Sequence, residues 1–95
     1  MTNNNNTVSV TYTDAELRNL VEEYITQQKL EFTLKGVYSY VLYWAVEDGK
    51  VADNTNLIDS YELRTEDHER VKRLLDAVVS DGRIVCFSKG NYTKV

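Results

Sequence analysis

The 95-residue chain contains no proline, four glycines, one histidine (His68) and one cysteine (Cys86). Without proline, no helix of the chain is forced to break along its length. A lone cysteine cannot form an internal disulfide, which excludes the small disulfide-stabilised folds of secreted proteins. Cys86 lies between Val85 and Phe87 in a strand-like pattern, so we expect it to be a buried, unreactive thiol.

The same scarcity argues against catalysis. His68 lies between two acidic residues, but the chain has no second histidine and no cysteine or carboxylate cluster at ligand spacing around it. The sequence also has no glycine-rich phosphate loop and no nucleophile motif. We therefore expect His68 to be a surface residue, and the protein to be no enzyme and to need no cofactor or metal.

Long apolar runs are missing as well. No run is long enough to span a bilayer, and the N-terminal residues show neither the basic nor the apolar part of a signal peptide. These absences predict a cytoplasmic protein that does not enter a membrane. A chain of this length forms one domain with a modest core, which is too small to add an enclosed catalytic cleft.

Basic charge is scarce and unevenly distributed. The 11 Lys and Arg residues are outnumbered by 15 Asp and Glu residues, and the net charge of −4 argues against a generic nucleic-acid binder. Residues 1–62 hold four basic and ten acidic residues, whereas residues 63–95 hold seven basic and five acidic residues. We therefore expect any nucleic-acid contact to lie in the C-terminal third.

Local signals in the first half of the chain predict a short lead segment and a first helix. Residues 1–12 begin with a run of asparagines and continue with an alternating stretch from Thr7, which predicts a flexible tail or a short edge strand. Thr13 and Glu16 form a capping box, in which each side chain satisfies an early backbone N–H of a helix over 14–28.

A second helix is predicted over 34–47, capped by Thr33 and ended by Gly49. It is apolar over more than half of its circumference, which is typical of a central helix or of an interface. Its inner face is expected to hold Leu34, Val37, Tyr38, Val41, Leu42, Ala45 and Val46. Tyr40, Tyr43 and Trp44 flank that face, and because Tyr and Trp are enriched where proteins meet, we predict a protein interface there. Core packing of these rings is the alternative.

The C-terminal third predicts a long helix followed by a hairpin. Thr65 is expected to cap this helix, whose buried stripe is Val71, Leu74, Leu75, Val78 and Val79. A short helix over 57–63 precedes it, and two strands joined by a turn at Lys89 follow it. The predicted fold class is α+β, mostly helical, with three to four helices and a C-terminal two- or three-stranded sheet.

This order of elements over residues 57–95 resembles the end of a winged helix-turn-helix domain. The resemblance implies one winged-helix-like domain over 13–95, with the last long helix in the major groove of duplex DNA and the hairpin beside the phosphates. It also implies that helix 14–28 is an added helix, of the kind that pairs subunits in dimeric regulators. The residues implied to contact DNA are Arg64, Arg70, Lys72, Arg73, Arg83, Lys89 and Lys94.

The sequence departs from the family at the start of this helix, where Glu66, Asp67 and Glu69 stand in place of residues that read bases. Arg70 and Arg73 follow Glu66 and Glu69 by four residues, which predicts ion pairs on a solvated face. Two hypotheses remain open. One is a small winged-helix DNA-binding regulator or accessory factor that is dimeric, and the other is an acidic winged-helix module that binds a second copy or another protein without contacting DNA.

Overall fold

The computed structural model of the chain describes residues 7–52 and 62–95. Helices make up 56% of these residues and a three-stranded antiparallel sheet lies at the C-terminal end, which confirms the predicted fold class. The layout is consistent with a winged-helix-like domain. In chain order the elements are β1 (Thr7–Val8), α1 (Asp14–Gln27), β2 (Glu31–Thr33), α2 (Leu34–Asp48), β3 (Glu62–Leu63), α3 (Thr65–Ser80), β4 (Ile84–Ser88) and β5 (Asn91–Lys94).

Helix α1 begins with the predicted capping box. The Thr13 hydroxyl accepts from the Glu16 backbone N–H at 3.1 Å, and the Glu16 carboxylate accepts from the Thr13 N–H at 2.8 Å. The apolar stripe of α1 is buried against α2 and α3 of the same chain, with Leu17 and Val21 almost fully enclosed. The resemblance implied that helix 14–28 is an added helix of the kind that pairs subunits. Helix α1 is instead part of the core, because its apolar stripe packs against α2 and α3 of the same chain.

Helix α2 starts and ends as predicted. The Thr33 hydroxyl accepts from the Gly36 N–H at 3.0 Å, and Gly49 closes the helix in the left-handed region with φ of 69°. Val37, Val41 and Ala45 are fully buried. Val46 was expected on the inner face but is 42% exposed, because it lies one position beyond Ala45 and the buried stripe is narrower than predicted.

The C-terminal sheet has the strand order β2-β5-β4, and all its pairs are antiparallel. Phe32, Tyr92 and Cys86 lie opposite one another across the sheet, and the Phe32 and Tyr92 rings stack at 5.4 Å in the core. The expectation of a buried Cys86 is wrong. Its thiol is exposed because β4 is buried only at Ile84, and the residues that follow, 85–88, extend beyond the core.

The start of α3 differs from the prediction. Its N-cap is Arg64, whose carbonyl accepts from the His68 N–H at 3.0 Å, so the helix begins at Thr65 and Thr65 is not the cap. The buried stripe on Val71, Leu75 and Val78 is confirmed. Of the short helix predicted over 57–63, residues 57–61 lie outside the described residues.

Glu62 and Leu63 form strand β3 rather than the end of that helix. β3 pairs in parallel with β1, with Thr7 opposite Glu62 and Val8 opposite Leu63. Val8, Val10 and Tyr12 are each at most 6% exposed. The core therefore includes side chains that precede α1. Among the described helices, none has the length and apolar character needed to cross a membrane.

Candidate interaction surfaces

A buried ion pair ties the start of α3 to the N-terminal segment. Asp67 is 4% exposed, and its carboxylate accepts from the Val10 N–H at 2.9 Å and from Arg70 Nη1 at 3.1 Å. Arg70 also donates to the Tyr12 carbonyl at 2.8 Å and to Asp14 Oδ1 at 2.9 Å. Desolvation alone would lower the pKa of Arg70, but its hydrogen bonds to Asp14 and Asp67 raise it overall. Its guanidinium is therefore engaged within the chain.

Arg70 does not form the ion pair that the sequence predicted. Its carboxylate partners are Asp14, which precedes it by 56 residues, and Asp67, which precedes it by three, rather than Glu66. The i,i+4 spacing predicts only partners on the same helix, such as Glu66. It does not predict Asp14, which lies at the start of α1.

Arg83 is engaged in a similar way. Its two terminal nitrogens donate to the two carboxylate oxygens of Glu22 on α1, at 2.7 Å and 2.6 Å. This hydrogen bonding lowers the pKa of Glu22 below its ordinary value, against an opposing effect of burial, and it raises the pKa of Arg83. The pair links the start of β4 to α1.

Three further cations of the predicted DNA surface also interact within the chain. Lys72 donates to Asp76 at 3.3 Å, an i,i+4 pair on α3. Lys94 donates to the Gln28 carbonyl at 2.9 Å. Arg64 interacts within the chain as well. Five of the seven predicted DNA-contact residues, Arg70 and Arg83 included, are thus engaged.

Arg73 and Lys89 are exposed and make no hydrogen bond or ion pair in the part of the chain that the structure describes. The expected Glu69–Arg73 pair is not formed there. Arg73 borders a shallow pocket of about 240 Å³, whose base is a stacked pair of rings, Tyr38 and His68, with centroids 4.1 Å apart. His68 is therefore partly covered by Tyr38, whereas the sequence predicted a surface residue.

The outer side of α2 presents three aromatic side chains, Tyr40, Tyr43 and Trp44, which we call the aromatic surface. Tyr43 is 58% exposed and Trp44 is 37% exposed, and their rings meet edge to face at 5.3 Å. Tyr40 is half-buried and packs against Tyr24 at 5.1 Å. The sequence placed all three rings on the flank of the buried stripe, and in the structure Tyr43 and Trp44 are open to solvent.

A cleft of about 790 Å³ runs between α1 and α2 beside the aromatic surface. Its described lining contains three carboxylates, no Lys and no Arg, together with two of the aromatic rings. We call it the acidic cleft, and its defining residues are Glu22, Glu23, Tyr40, Trp44 and Asp48. Sequence reasoning missed it because the carboxylates come from two helices and no spacing connects them.

Two tyrosine hydroxyls hold the carboxylates of the acidic cleft. The Tyr40 hydroxyl donates to Glu23 Oε1 at 3.4 Å and accepts from Gln27 Nε2 at 3.2 Å. The Tyr12 hydroxyl donates to Asp48 Oδ2 at 2.7 Å. Burial, together with that hydrogen bond to a carboxylate, raises the pKa of Tyr12 well above its ordinary value. Tyr12 therefore remains a proton donor to Asp48.

No group of His, Cys, Asp and Glu side chains within residues 7–52 and 62–95 could hold a metal ion. The candidate binding features among the described residues include the aromatic surface, the acidic cleft and the exposed side chains of Arg73 and Lys89. Comparisons of the chain with family models, with curated proteins and with solved structures find no match.

Proposed function

We propose that this domain is an acidic protein-interaction module that docks on a partner through the aromatic surface of α2. The exposed, mutually contacting rings of Tyr43 and Trp44 carry the proposal. They project from a helix that is anchored on its other side by fully buried Val41 and Ala45. Rigidly mounted Tyr and Trp side chains supply much of the binding energy at protein interfaces.

The distribution of charge supports a protein partner over a nucleic acid. The chain has a net charge of −4. Arg70 and Arg83, which a DNA-binding surface would need, are paired with carboxylates of the same chain. Affinity for DNA depends on the number of phosphates that free cations neutralise. Contacting phosphate through these arginines would require the existing pairs to break.

Differential affinity capture tests the proposal. The tagged domain and a Tyr43→Ser/Trp44→Ser variant are exposed to lysate of the source organism, and the bound proteins are quantified by mass spectrometry. We expect at least one protein to bind the wild type and to be lost with the variant. With that partner purified, the affinity should fall by about 30-fold or more, equivalent to roughly 2 kcal/mol for a binding hot spot.

Val85→Ser is the matched control, because Val85 is also an exposed apolar residue, at 47%, but lies on β4. It should retain the partner. Circular dichroism verifies that all variants are folded. The proposal fails if no captured protein depends on the aromatic surface, or if the Val85 variant loses the same proteins.

A second candidate is duplex DNA binding through α3 and the hairpin. It is favoured by Arg73 and Lys89, which are exposed and unpaired among the described residues and lie on the two elements that the winged-helix resemblance places on DNA. Mobility shift of random duplex DNA at low salt tests it, with Arg73→Glu/Lys89→Glu as the variant and exposed Lys29→Glu as the control. Absence of a shift at protein concentrations on the order of tens of micromolar, where non-specific binders already associate, rejects this candidate.

A further inference from the structure

We infer that the acidic cleft between α1 and α2 receives a lysine- or arginine-bearing segment of the partner protein. The inference rests on the proposed function and adds the chemistry that the partner must present. It follows from the charge of the lining, from the ring at its edge and from the charge of the whole chain.

Two carboxylates of the cleft have no cationic partner among the described residues. Glu22 is neutralised by Arg83, but Glu23 and Asp48 form no ion pair within the described residues and receive hydrogen bonds from tyrosine hydroxyls instead. A hydroxyl donor fixes the orientation of a carboxylate without cancelling its charge. Each hydrogen bond occupies one oxygen, so Glu23 Oε2 and Asp48 Oδ1 can still accept from an incoming ammonium or guanidinium group.

The aromatic ring at the cleft strengthens the preference for a cation. Trp44 precedes Asp48 by four residues, so the indole and the carboxylate lie on the same side of α2, and both line the cleft. The indole ring is partly exposed there. Tryptophan offers the best ring face for a cation–π contact. A cationic side chain in the cleft can therefore contact this ring and a carboxylate together.

Charge complementarity selects a different protein over a second copy of this chain that pairs through the same face. A second copy also has a net charge of −4, and its own aromatic surface lies beside Glu47 and Asp48. Pairing two such faces would bring like charges together, which opposes association. Nucleic acid is disfavoured in the same cleft because its phosphates would meet these carboxylates.

The intrinsic fluorescence of Trp44 tests the inference, because this is the single tryptophan of the chain and it lies in the cleft. The intact protein is titrated with hexaarginine peptide at low salt, and with hexaglutamate as the charge control. We expect a saturable change in emission with hexaarginine only, which weakens as salt is added. Glu23→Gln and Asp48→Asn should each reduce the affinity by about tenfold, which corresponds to roughly 1.4 kcal/mol.

Glu47→Gln is the matched control, since it removes one exposed charge from α2 without touching the cleft, and it should leave the affinity unchanged. Asp48→Asn also alters the partner of Tyr12, so exposed Glu23→Gln decides the question if the Asp48 variant does not fold. The inference is overturned if hexaarginine causes no change, or if the Glu23 and Glu47 variants bind equally well. The proposed function would survive that result, because it is tested separately by partner loss in the Tyr43/Trp44 variant.

Discussion

At the scale of single residues, Asp67 is the buried charge that joins α3 to the segment before α1. Removing it leaves the Val10 N–H without its acceptor and Arg70 without its buried partner. We expect Asp67→Ala to lower the free energy of unfolding by about 3 kcal/mol. Asp14→Ala removes the other carboxylate partner of Arg70, but the Asp14 side chain is 86% exposed, so the loss should stay below about 1 kcal/mol. Urea denaturation measures both, and equal losses would contradict this account.

The ion pair between Glu22 and Arg83 should make the stability of the protein depend on pH. The pKa of Glu22 in the folded protein is lowered below the ordinary 4.5 by the hydrogen bonds from Arg83. Stability from a lowered carboxyl pKa is fully present above the ordinary pKa and is lost as pH falls through the folded value. Wild type should therefore be more stable than Glu22→Gln at neutral pH, and the difference should close in acid. Urea unfolding as a function of pH measures this, with exposed Glu31→Gln as control, and a gap that widens in acid would refute it.

At the scale of elements, the close approach of α1 to the first turn of α2 depends on Gly36. A Cβ there would collide with the Tyr24 hydroxyl and lie 3.2 Å from Thr33 Oγ1. The Tyr24 ring is held between Phe32 and Tyr40, which restricts its retreat. We expect Gly36→Ala to destabilise the protein by about 1–2 kcal/mol, although alanine is intrinsically the better helix former by about 1 kcal/mol.

A double-mutant cycle isolates this contact. Tyr24→Phe removes the hydroxyl that the new methyl group would meet most closely, so Gly36→Ala should destabilise less in that background. Thermal unfolding of the four proteins gives the coupling energy. If Gly36→Ala destabilises the protein equally with and without the Tyr24 hydroxyl, this contact does not set the distance between α1 and α2.

The elements themselves were largely predictable because their signals lie within a few residues of one another. The capping box of Thr13, the cap at Thr33 and the stop at Gly49 act within a turn of the helix that they delimit. The solvent exposure of individual side chains was less predictable from the sequence. Alternation along β4 is visible in the sequence, but whether Cys86 is covered depends on how far the core extends along β4, and it ends at Ile84.

The candidate sites likewise include features that local spacing predicts and features that only the packing of distant residues creates. Helical spacing placed Tyr43 and Trp44 on the flank of the buried stripe of α2, and both are exposed. The Arg70–Asp14 pair and the acidic cleft bring together residues that are far apart in the chain. For example, Glu23 and Asp48 lie on different helices, and only the packing of α1 against α2 makes them neighbours. No local pattern encodes that proximity.

At the scale of the whole molecule, the aromatic surface and the acidic cleft lie together on α1 and α2. The face formed by α1 and α2 combines exposed rings with two carboxylates that form no ion pair within the described residues, whereas most cations near α3 and the hairpin contact other parts of the chain. Most of the basic side chains of residues 63–95 thus form contacts within the chain. We propose that the α1–α2 face is the binding face of the domain.

Residue-resolved NMR of the isotope-labelled protein tests this claim most directly, with random duplex DNA and hexaarginine peptide titrated in parallel. We predict that the peptide shifts amide resonances around Glu23 and Trp44, and that DNA leaves those of α3 and the hairpin unchanged. The opposite result, in which DNA shifts the resonances around Arg73 and Lys89 and the peptide shifts none, would contradict the account.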